Sequence, residues 1–333
     1  MKVWTIKEPG GIDQLVQEER PTPMPQEGEM LVKVKAFGIN RTEILTRENA
    51  SLKPPYPVLG VELAGEVVEN RSSRQDLQVG SRVMGLVEQG SYSDYAITPA
   101  AYAMLIPETL SYEQAAAIPE VFLTAYQCIY WLGQLEKGQS ILIHAGASGV
   151  GTAAIQLAKV MSQATVIATS SKPEKLEVMD ALGADLSINY QEEDIAQAVL
   201  AGTDGRGVDV ILDFVGASYF ETNLKSIAVD GIWVLIGTLG GSKVKDMQLF
   251  DLMQKRIQLK ATLLTPRPHD YKAQLTKEFE KFALPLIAQR RIKTLIHEVV
   301  DFDQLAEAHR LMEDNENIGK IIVTIPSTTT TGQ

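Results

Sequence analysis

The chain has 333 residues, room for about two domains at roughly 100–200 residues each, and its 45% hydrophobic and 22% charged content excludes a disordered or collagen-like chain. Lys and Arg total 31 against 42 Asp and Glu, a net charge of −11, which argues against nucleic acid or an anionic membrane as the main partner. Cys128 is the single cysteine, so internal disulfides and multi-cysteine zinc or iron–sulfur sites are excluded, and usage leans towards the cytoplasm.

The first residues, Met1 to Ile6, predict a strand, with Val3 and Thr5 alternating against Trp4 and Ile6, rather than a signal peptide. Residues 1–118 predict short strands such as Met30–Ala36, Glu62–Val68 and Ser81–Gly85, the spacing of a barrel or sandwich. Pro21, Pro23 and Pro25 mark a stiff, extended connection. The longest apolar stretch, Ala115 to Leu132, carries Pro119, Glu120 and Gln127. It is too short and too polar for a membrane span and predicts a buried helix.

From Ser140 the pattern changes. Apolar runs Ser140–His144, Ala164–Ala168, Leu186–Asn189, Val208–Asp213 and Ile232–Ile236 predict strands, with amphipathic helices between the early ones. One helix is expected over Pro173–Leu182, entered by proline and ended by Gly183. Alternating strands and helices imply a parallel, doubly wound sheet, because a parallel pair cannot be closed by a tight hairpin. After about Ala261 the pattern is mixed. Asp303–Glu313 predicts a helix with Leu305, Ala308 and Met312 inward, and Ile321–Ile325 a closing strand whose natural home is the first, β-rich domain. The doubly wound sheet is then an insert. Ser327–Gln333, polar and Thr-rich, is expected to fray. No repeat of 20–50 residues is present.

The sharpest motif is SILIHAGASGVGTAAIQLAKVM, Ser140 to Met161. Gly146 and Gly151 match the outer glycines of G-x-G-x-x-G, Ser148 replaces the middle one and Gly149 stands beside it. A pyrophosphate must come close to backbone N–H groups at a helix N-terminus, and only small residues leave that room. The motif lies between a predicted strand and a predicted helix, the context that gives it weight. At the next strand's tip, an NAD site would place an acidic residue on the ribose 2′-hydroxyl. Here Thr169, Ser170, Ser171 and Lys172 stand instead, with Lys175 one turn on and no carboxylate before Glu174. Hydroxyls and a lysine suit a 2′-phosphate, hence NADPH. Asp213–Gly216 (DFVG) and Gly237–Gly241 (GTLGG) end later strands, where glycine permits close approach of a ligand.

These residues are similar to the zinc-independent, zeta-crystallin-like quinone oxidoreductases of the medium-chain dehydrogenase/reductase superfamily. The resemblance runs from KEPGG (Lys7–Gly11) through GINR (Gly38–Arg41), LGVELAGEV (Leu59–Val67), QAAAIPEVFLTAYQ (Gln114–Gln127) and DGIWVLIGTLGG (Asp230–Gly241) to NIGKIIV (Asn317–Val323). It implies an α/β chain with a Rossmann doubly wound parallel sheet (121–261) inserted in a GroES-like β-rich catalytic domain (1–120 plus 262–333). It implies NADPH, a small quinone or enone substrate and a homodimer or homotetramer. By position, Asn40 and Thr124 would lie near the nicotinamide; Gly146, Ser148, Gly149 and Val150 would hold the pyrophosphate. Ser170, Ser171, Lys175 and Tyr190 would surround the 2′-phosphate. Gly237, Thr238 and Leu239 would flank the nicotinamide, and Asn317 and Lys320 would close the cofactor site. Zinc-dependent members carry a G-H-E motif that reads Gly60-Val61-Glu62 here, so no metal is expected.

Relatives often read R-x-G-x-Y after the residue matching Arg47; here Asn49 and Ser51 take the last two fixed places. Tyr56, downstream, is the substitute candidate at the active-site mouth, and Arg267 is a candidate for the substrate pocket. His144 is expected to pack or hydrogen-bond beside the cofactor loop, and Cys128 to be a small buried side chain. His309 is placed on the polar side of its helix, and His269 and His297 show no partner. The leading expectation is hydride transfer from NADPH to a quinone. Reduction of an activated C=C bond, as in alkenal or enone reductases, is the alternative, and a non-catalytic NADPH-binding redox sensor stands against both.

Overall fold

A computed structural model describes residues 1–326; the end expected to fray, Ser327–Gln333, lies outside them. The chain forms two compact units, one of Met1–Glu120 together with the chain from Arg267 onward, the other of Val121–Pro266.

The first unit is built on a seven-stranded sheet ordered Ile296–Asp301, Lys320–Thr324, Glu29–Gly38, Glu62–Asn70, Arg82–Leu86, Ala103–Leu105, with Tyr95–Pro99 also paired to Glu29–Gly38. One long strand serves three partners. Its first half, Glu29–Lys33, pairs with Tyr95–Pro99, and its end, Ala36–Gly38, pairs with Ile322–Thr324. On its other edge, Glu62–Asn70 follows with two register shifts, the bulges that bend a strand. The closing strand therefore sits in the β-rich unit, as its apolar run predicts. The first strand, Lys2–Ile6, departs from its alternation: Val3 through Ile6 are all buried. The polar atoms on it are matched, Thr5 Oγ1 donating to the Pro57 carbonyl (2.8 Å) and Trp4 Nε1 to that of Phe302 (2.9 Å).

In the second unit we number the strands β1 (Ser140–Ile143), β2 (Thr165–Ser170), β3 (Leu186–Asn189), β4 (Val208–Asp213), β5 (Ile227–Leu235) and β6 (Gln258–Ala261). All pair in parallel in the order 3-2-1-4-5-6. The chain reverses direction across the sheet between β1 and β4, the place where such sheets open for a ligand at their carboxyl ends. The helix after β2 spans Pro173–Leu182 and ends at Gly183 with φ +107, a left-handed cap that a side chain disfavours.

The apolar stretch from Ala115 differs from the single helix expected. Helix Tyr112–Ala116 stops before Pro119, which cannot donate a backbone N–H and disfavours helix in the residue ahead of it. A new helix, Pro119–Tyr126, passes into a π-helical turn over Gln127–Leu132, where the Gly133 N–H donates to the Cys128 carbonyl (2.8 Å). Cys128 is buried there. Among the described residues, no helix is long and apolar enough to cross a membrane.

Candidate active site

In the second unit the strand β1 delivers the glycine loop to the N-terminus of helix Gly149–Ser162. Ser148 is the cap, and its hydroxyl accepts from the Gly151 N–H (3.1 Å). The N–H groups of Gly149 and Val150, at the first two helical positions, have no carbonyl inside the helix to meet. With the positive end of the helix behind them they make an arrangement that can receive an anion. Two glycines are required by space. A Cβ on Gly151 would lie 2.3 Å from the Ala145 carbonyl oxygen, and one on Gly146 would lie 2.9 Å from Ala168 Cβ and nearer still to Met179. Ala145 itself is held at φ +49, a left-handed turn that costs a non-glycine residue energy.

At the tip of β2, Ser170 and Lys175 are buried and Ser171 is partly so. Helix Pro173–Leu182 is entered at Lys172 with no side-chain cap, so neither serine is spent on capping it. Tyr190 follows β3, its N–H donating to the Ser170 carbonyl (3.1 Å) and its ring 43% exposed. The two later glycine segments are one structure. Gly240 N donates to the Val215 carbonyl (2.7 Å) and Ala217 N to that of Gly241 (2.8 Å). Gly237 is partly buried at its root, while Thr238 and Leu239 are exposed. Thr124 is 6% exposed, and its hydroxyl is buried without a hydrogen-bond partner. A buried hydroxyl left unpaired is costly in the protein alone and marks a place for a polar ligand group.

In the first unit, Asn40 caps helix Arg41–Glu48, and its N–H donates to Glu43 Oε2 (2.8 Å). The N-R-T-E spacing of Asn40 and Glu43 is the capping-box signal that makes this pair legible in the sequence. The Asn40 amide donates to Glu62 Oε1 (2.9 Å) and accepts from Lys320 Nζ (2.6 Å). Lys320 gives its other protons to the Ile39 carbonyl (2.9 Å) and Glu62 Oε1 (2.7 Å). Glu62 Oε2 takes the Glu120 N–H (2.8 Å). All four side chains are buried, with Glu43 1%, Glu62 0% and Lys320 2% exposed. Burial raises the Glu43 carboxyl to about 8, Lys320 opposing the shift and Glu62 adding to it.

Thus Asn40 and Lys320 are brought together, but inside a saturated cluster in which all three ammonium protons are used. Asn317, 9% exposed, donates to the Gly319 carbonyl (2.8 Å), closing its own turn. Tyr56 packs against the apolar core of this unit, and its carbonyl accepts from Arg20 Nη1 and Nη2 (3.1 Å each). The Arg267 guanidinium lies over the Tyr271 ring, 4.6 Å from its centre. Ser51 is exposed, its N–H donating to Asn49 Oδ1 (3.0 Å) in an Asn-closed turn.

Two histidine expectations are corrected. His309 is not solvated: it is fully buried, with Nδ1 3.0 Å from Arg47 Nη1 and Nε2 3.3 Å from the Tyr92 hydroxyl. The permanently charged Arg47 can only donate, so His309 Nδ1 accepts and its Nε2 carries the proton. Burial, with Arg47 adding, pushes this imidazole down to about 3. His269 does have a partner, its Nδ1 lying 2.9 Å from the Tyr102 hydroxyl. His144 is buried and hydrogen-bonded as expected, to Thr169 (3.1 Å) and Asn223 (2.6 Å).

Residues 26–108 match the alcohol dehydrogenase GroES-like domain, and residues 149–281 match the zinc-binding dehydrogenase domain. Among the described residues, no group of three or more His, Cys, Asp or Glu side chains could hold a metal ion. The chain is 30% identical over 331 residues to the rat synaptic vesicle membrane protein VAT-1 homolog, covering 94% of this chain and 81% of that one. It is 28% identical over 325 residues to mouse prostaglandin reductase-3, covering 93% and 85%. Its fold superposes on the Escherichia coli quinone oxidoreductase complexed with NADPH with a TM-score of 0.88, at 28% identity and over 97% and 100% of the two chains. Its α/β architecture, with a GroES-like part and a six-stranded Rossmann sheet, and these matches together place the chain in the medium-chain dehydrogenase/reductase superfamily.

Proposed function

We propose that the chain is a zinc-independent, NADPH-dependent quinone oxidoreductase. The observation that carries the reading is the glycine cradle at Gly146–Gly151 followed by a β2 tip that offers Ser170, Ser171 and Lys175 and no carboxylate. The likeness to a quinone oxidoreductase complexed with NADPH supports it. Within the family, the stretches quoted above resemble the human quinone oxidoreductase induced by the tumour suppressor.

The chemistry that NADPH supplies when bound is hydride donation, which with one proton takes a quinone to its hydroquinone. The chain's own residues bind and orient. Gly146, Ser148, Gly149 and Val150 receive the pyrophosphate at the helix N-terminus. Ser170, Ser171, Lys175 and Tyr190 receive the 2′-phosphate, where a lysine and hydroxyls favour an added dianion. Thr124, with its unpaired buried hydroxyl, and Gly237, Thr238 and Leu239 serve the nicotinamide. Asn317 and Lys320 belong to the same set through the segment that carries them. Asn40 is held rigid by Lys320 and Glu62, and with Tyr56 and Arg267 it serves the acceptor. Tyr56 is the nominee for the proton. A quinone is already a strong hydride acceptor, so positioning replaces a Lewis acid. We place the protein in the cytoplasm as a homodimer or homotetramer.

The resemblance to prostaglandin reductase-3 supports a second reading, reduction of an activated C=C bond with the same cofactor. Both are tested by NADPH oxidation by the purified protein with an ortho-quinone, beside NADH and beside an enone. Turnover of the quinone with a strong NADPH preference is expected. Turnover of the enone alone, with loss of that activity in Tyr56→Phe, replaces the first reading by the second. NADPH binding without any turnover leaves a non-catalytic redox sensor.

A further inference from the structure

A row of buried side chains runs beneath the loops at the carboxyl ends of four adjacent strands, β2, β1, β4 and β5. Thr169, on β2, lies 3.1 Å from His144 Nδ1, at the end of β1. His144 Nε2 lies 2.6 Å from Asn223 Oδ1. Asn223 Nδ2 donates to Asp213 Oδ2 (3.0 Å), at the end of β4, and Trp233 Nε1, on β5, donates to the same oxygen (3.0 Å). Thr169, His144, Asn223 and Asp213 are each at most 1% exposed.

The direction of the row is set by chemistry. Asp213 accepts, so the Asn223 amide donates to it and turns its oxygen to His144. His144 Nε2 then carries the proton, and its Nδ1 accepts from the Thr169 hydroxyl. Burial lowers the His144 imidazole, which keeps it neutral and able to accept. Each end of the row holds a loop. The Thr169 carbonyl accepts from the Gly146 N–H (2.9 Å), inside the glycine cradle. Asp213 Oδ1 accepts from the N–H groups of Val215 (2.7 Å) and Gly216 (2.9 Å), rooting the paired segments 213–218 and 236–241. Nothing in the row faces solvent, so its members act through the loops they hold.

We infer that Thr169, His144, Asn223 and Asp213 form a positioning network that sets the glycine cradle and the paired 213–218 and 236–241 segments in one geometry for the dinucleotide. The inference rests on the NADPH reading above. Its test is the NADPH Kd, by fluorescence titration, and the steady-state split of KM for NADPH against kcat. Four proteins are compared: wild type, Thr169→Val, Thr169→Ser and His144→Phe. Thr169→Val keeps shape and deletes the single hydroxyl that feeds His144. It is expected to raise Kd and KM about five- to tenfold, as for one lost buried hydrogen bond, with kcat at saturating NADPH within about twofold. Thr169→Ser restores the wild-type Kd. His144→Phe raises Kd further, by roughly tenfold or more. Folded Thr169→Val with wild-type Kd overturns the inference, whatever His144→Phe does. So does an equal fall in kcat and affinity that Thr169→Ser fails to restore, because that is a general loss of structure. A wild-type protein that binds no NADPH overturns the cofactor reading itself, a result separate from unchanged variants of a protein that binds.

Discussion

The two units each bury a polar cluster, and the clusters are built on opposite plans. In the first unit Asn40, Glu43, Glu62 and Lys320 satisfy one another: an ammonium with three acceptors, a carboxylate taking an amide, an ammonium and a backbone N–H, and an amide used at both ends. In the second unit the row from Thr169 to Asp213 is satisfied too, but elsewhere in that unit the N–H groups of Gly149 and Val150 meet no helix carbonyl and the Thr124 hydroxyl is buried without a partner. Burial alone therefore does not mark a ligand contact. The balance of donors and acceptors separates the two: the first cluster is closed on itself, whereas Gly149, Val150 and Thr124 keep groups to which a ligand can bind.

The sharpest way to break this contrast is Lys320→Met. It strands the Glu62 carboxylate in the interior, and removing one partner of a buried pair costs about 3–5 kcal/mol. Urea unfolding should show that loss, and Lys320→Met combined with Glu62→Gln should recover much of it. A near-silent Lys320→Met that instead loses NADPH affinity would make Lys320 a cofactor contact and end the contrast. Gly151→Ala comes next. Its Cβ would collide with the Ala145 carbonyl, an overpacking expected to cost about 1–3 kcal/mol, and NADPH affinity should fall at least about tenfold in a titration.

Acid and alkali separate two buried groups within the first unit. Folded Glu43 holds a proton to about 8, whereas the unfolded chain releases it near the ordinary 4.5. The stability it contributes is present at low pH and is lost as pH rises through that window. Glu43→Gln should flatten the decline of Tm between pH 5 and 8. His309 has the opposite sign. Its folded imidazole refuses a proton down to about 3, and the unfolded one takes it near 6.5, so stability is lost as pH falls through that range. His309→Gln should flatten the acid limb. If Glu43→Gln leaves the alkaline limb unchanged, the carboxyl is not the group responsible. The smallest effect belongs to Thr124→Val. Deleting an unpaired buried hydroxyl should leave Tm within about a degree or raise it, as replacing such a group by an apolar one of the same shape is nearly neutral. NADPH affinity should fall all the same; a lower Tm would show that the hydroxyl serves the fold.

What was legible in the sequence is what short-range rules govern. The glycine loop, its helix, the helix Pro173–Leu182 closed by Gly183 and the apolar closing strand all follow from spacing within some twenty residues. What was not legible depends on distant partners. His309 reads as polar-face on its helix, yet Arg47 and Tyr92, 262 and 217 residues away, enclose it. The resemblance assigns Lys320 to the cofactor site, but that Glu62, 258 residues upstream, shares its ammonium shows only in the folded strand. The π-helical turn at Gln127–Leu132 has no local signal beyond the proline that opens the helix before it.

The placement of the closing strand has a consequence for synthesis. Domains fold as units as the chain emerges. The central unit, 121–266, is continuous and can complete itself while the ribosome is still at work. The unit that begins the chain cannot, because the Ala36–Gly38 end of the long strand lacks its edge partner and Glu62 lacks its counter-charge until Lys320–Thr324 arrives. The part translated first thus finishes last, and a nascent chain arrested before Lys320 carries a finished nucleotide unit beside an open sheet edge and an unpaired interior carboxylate.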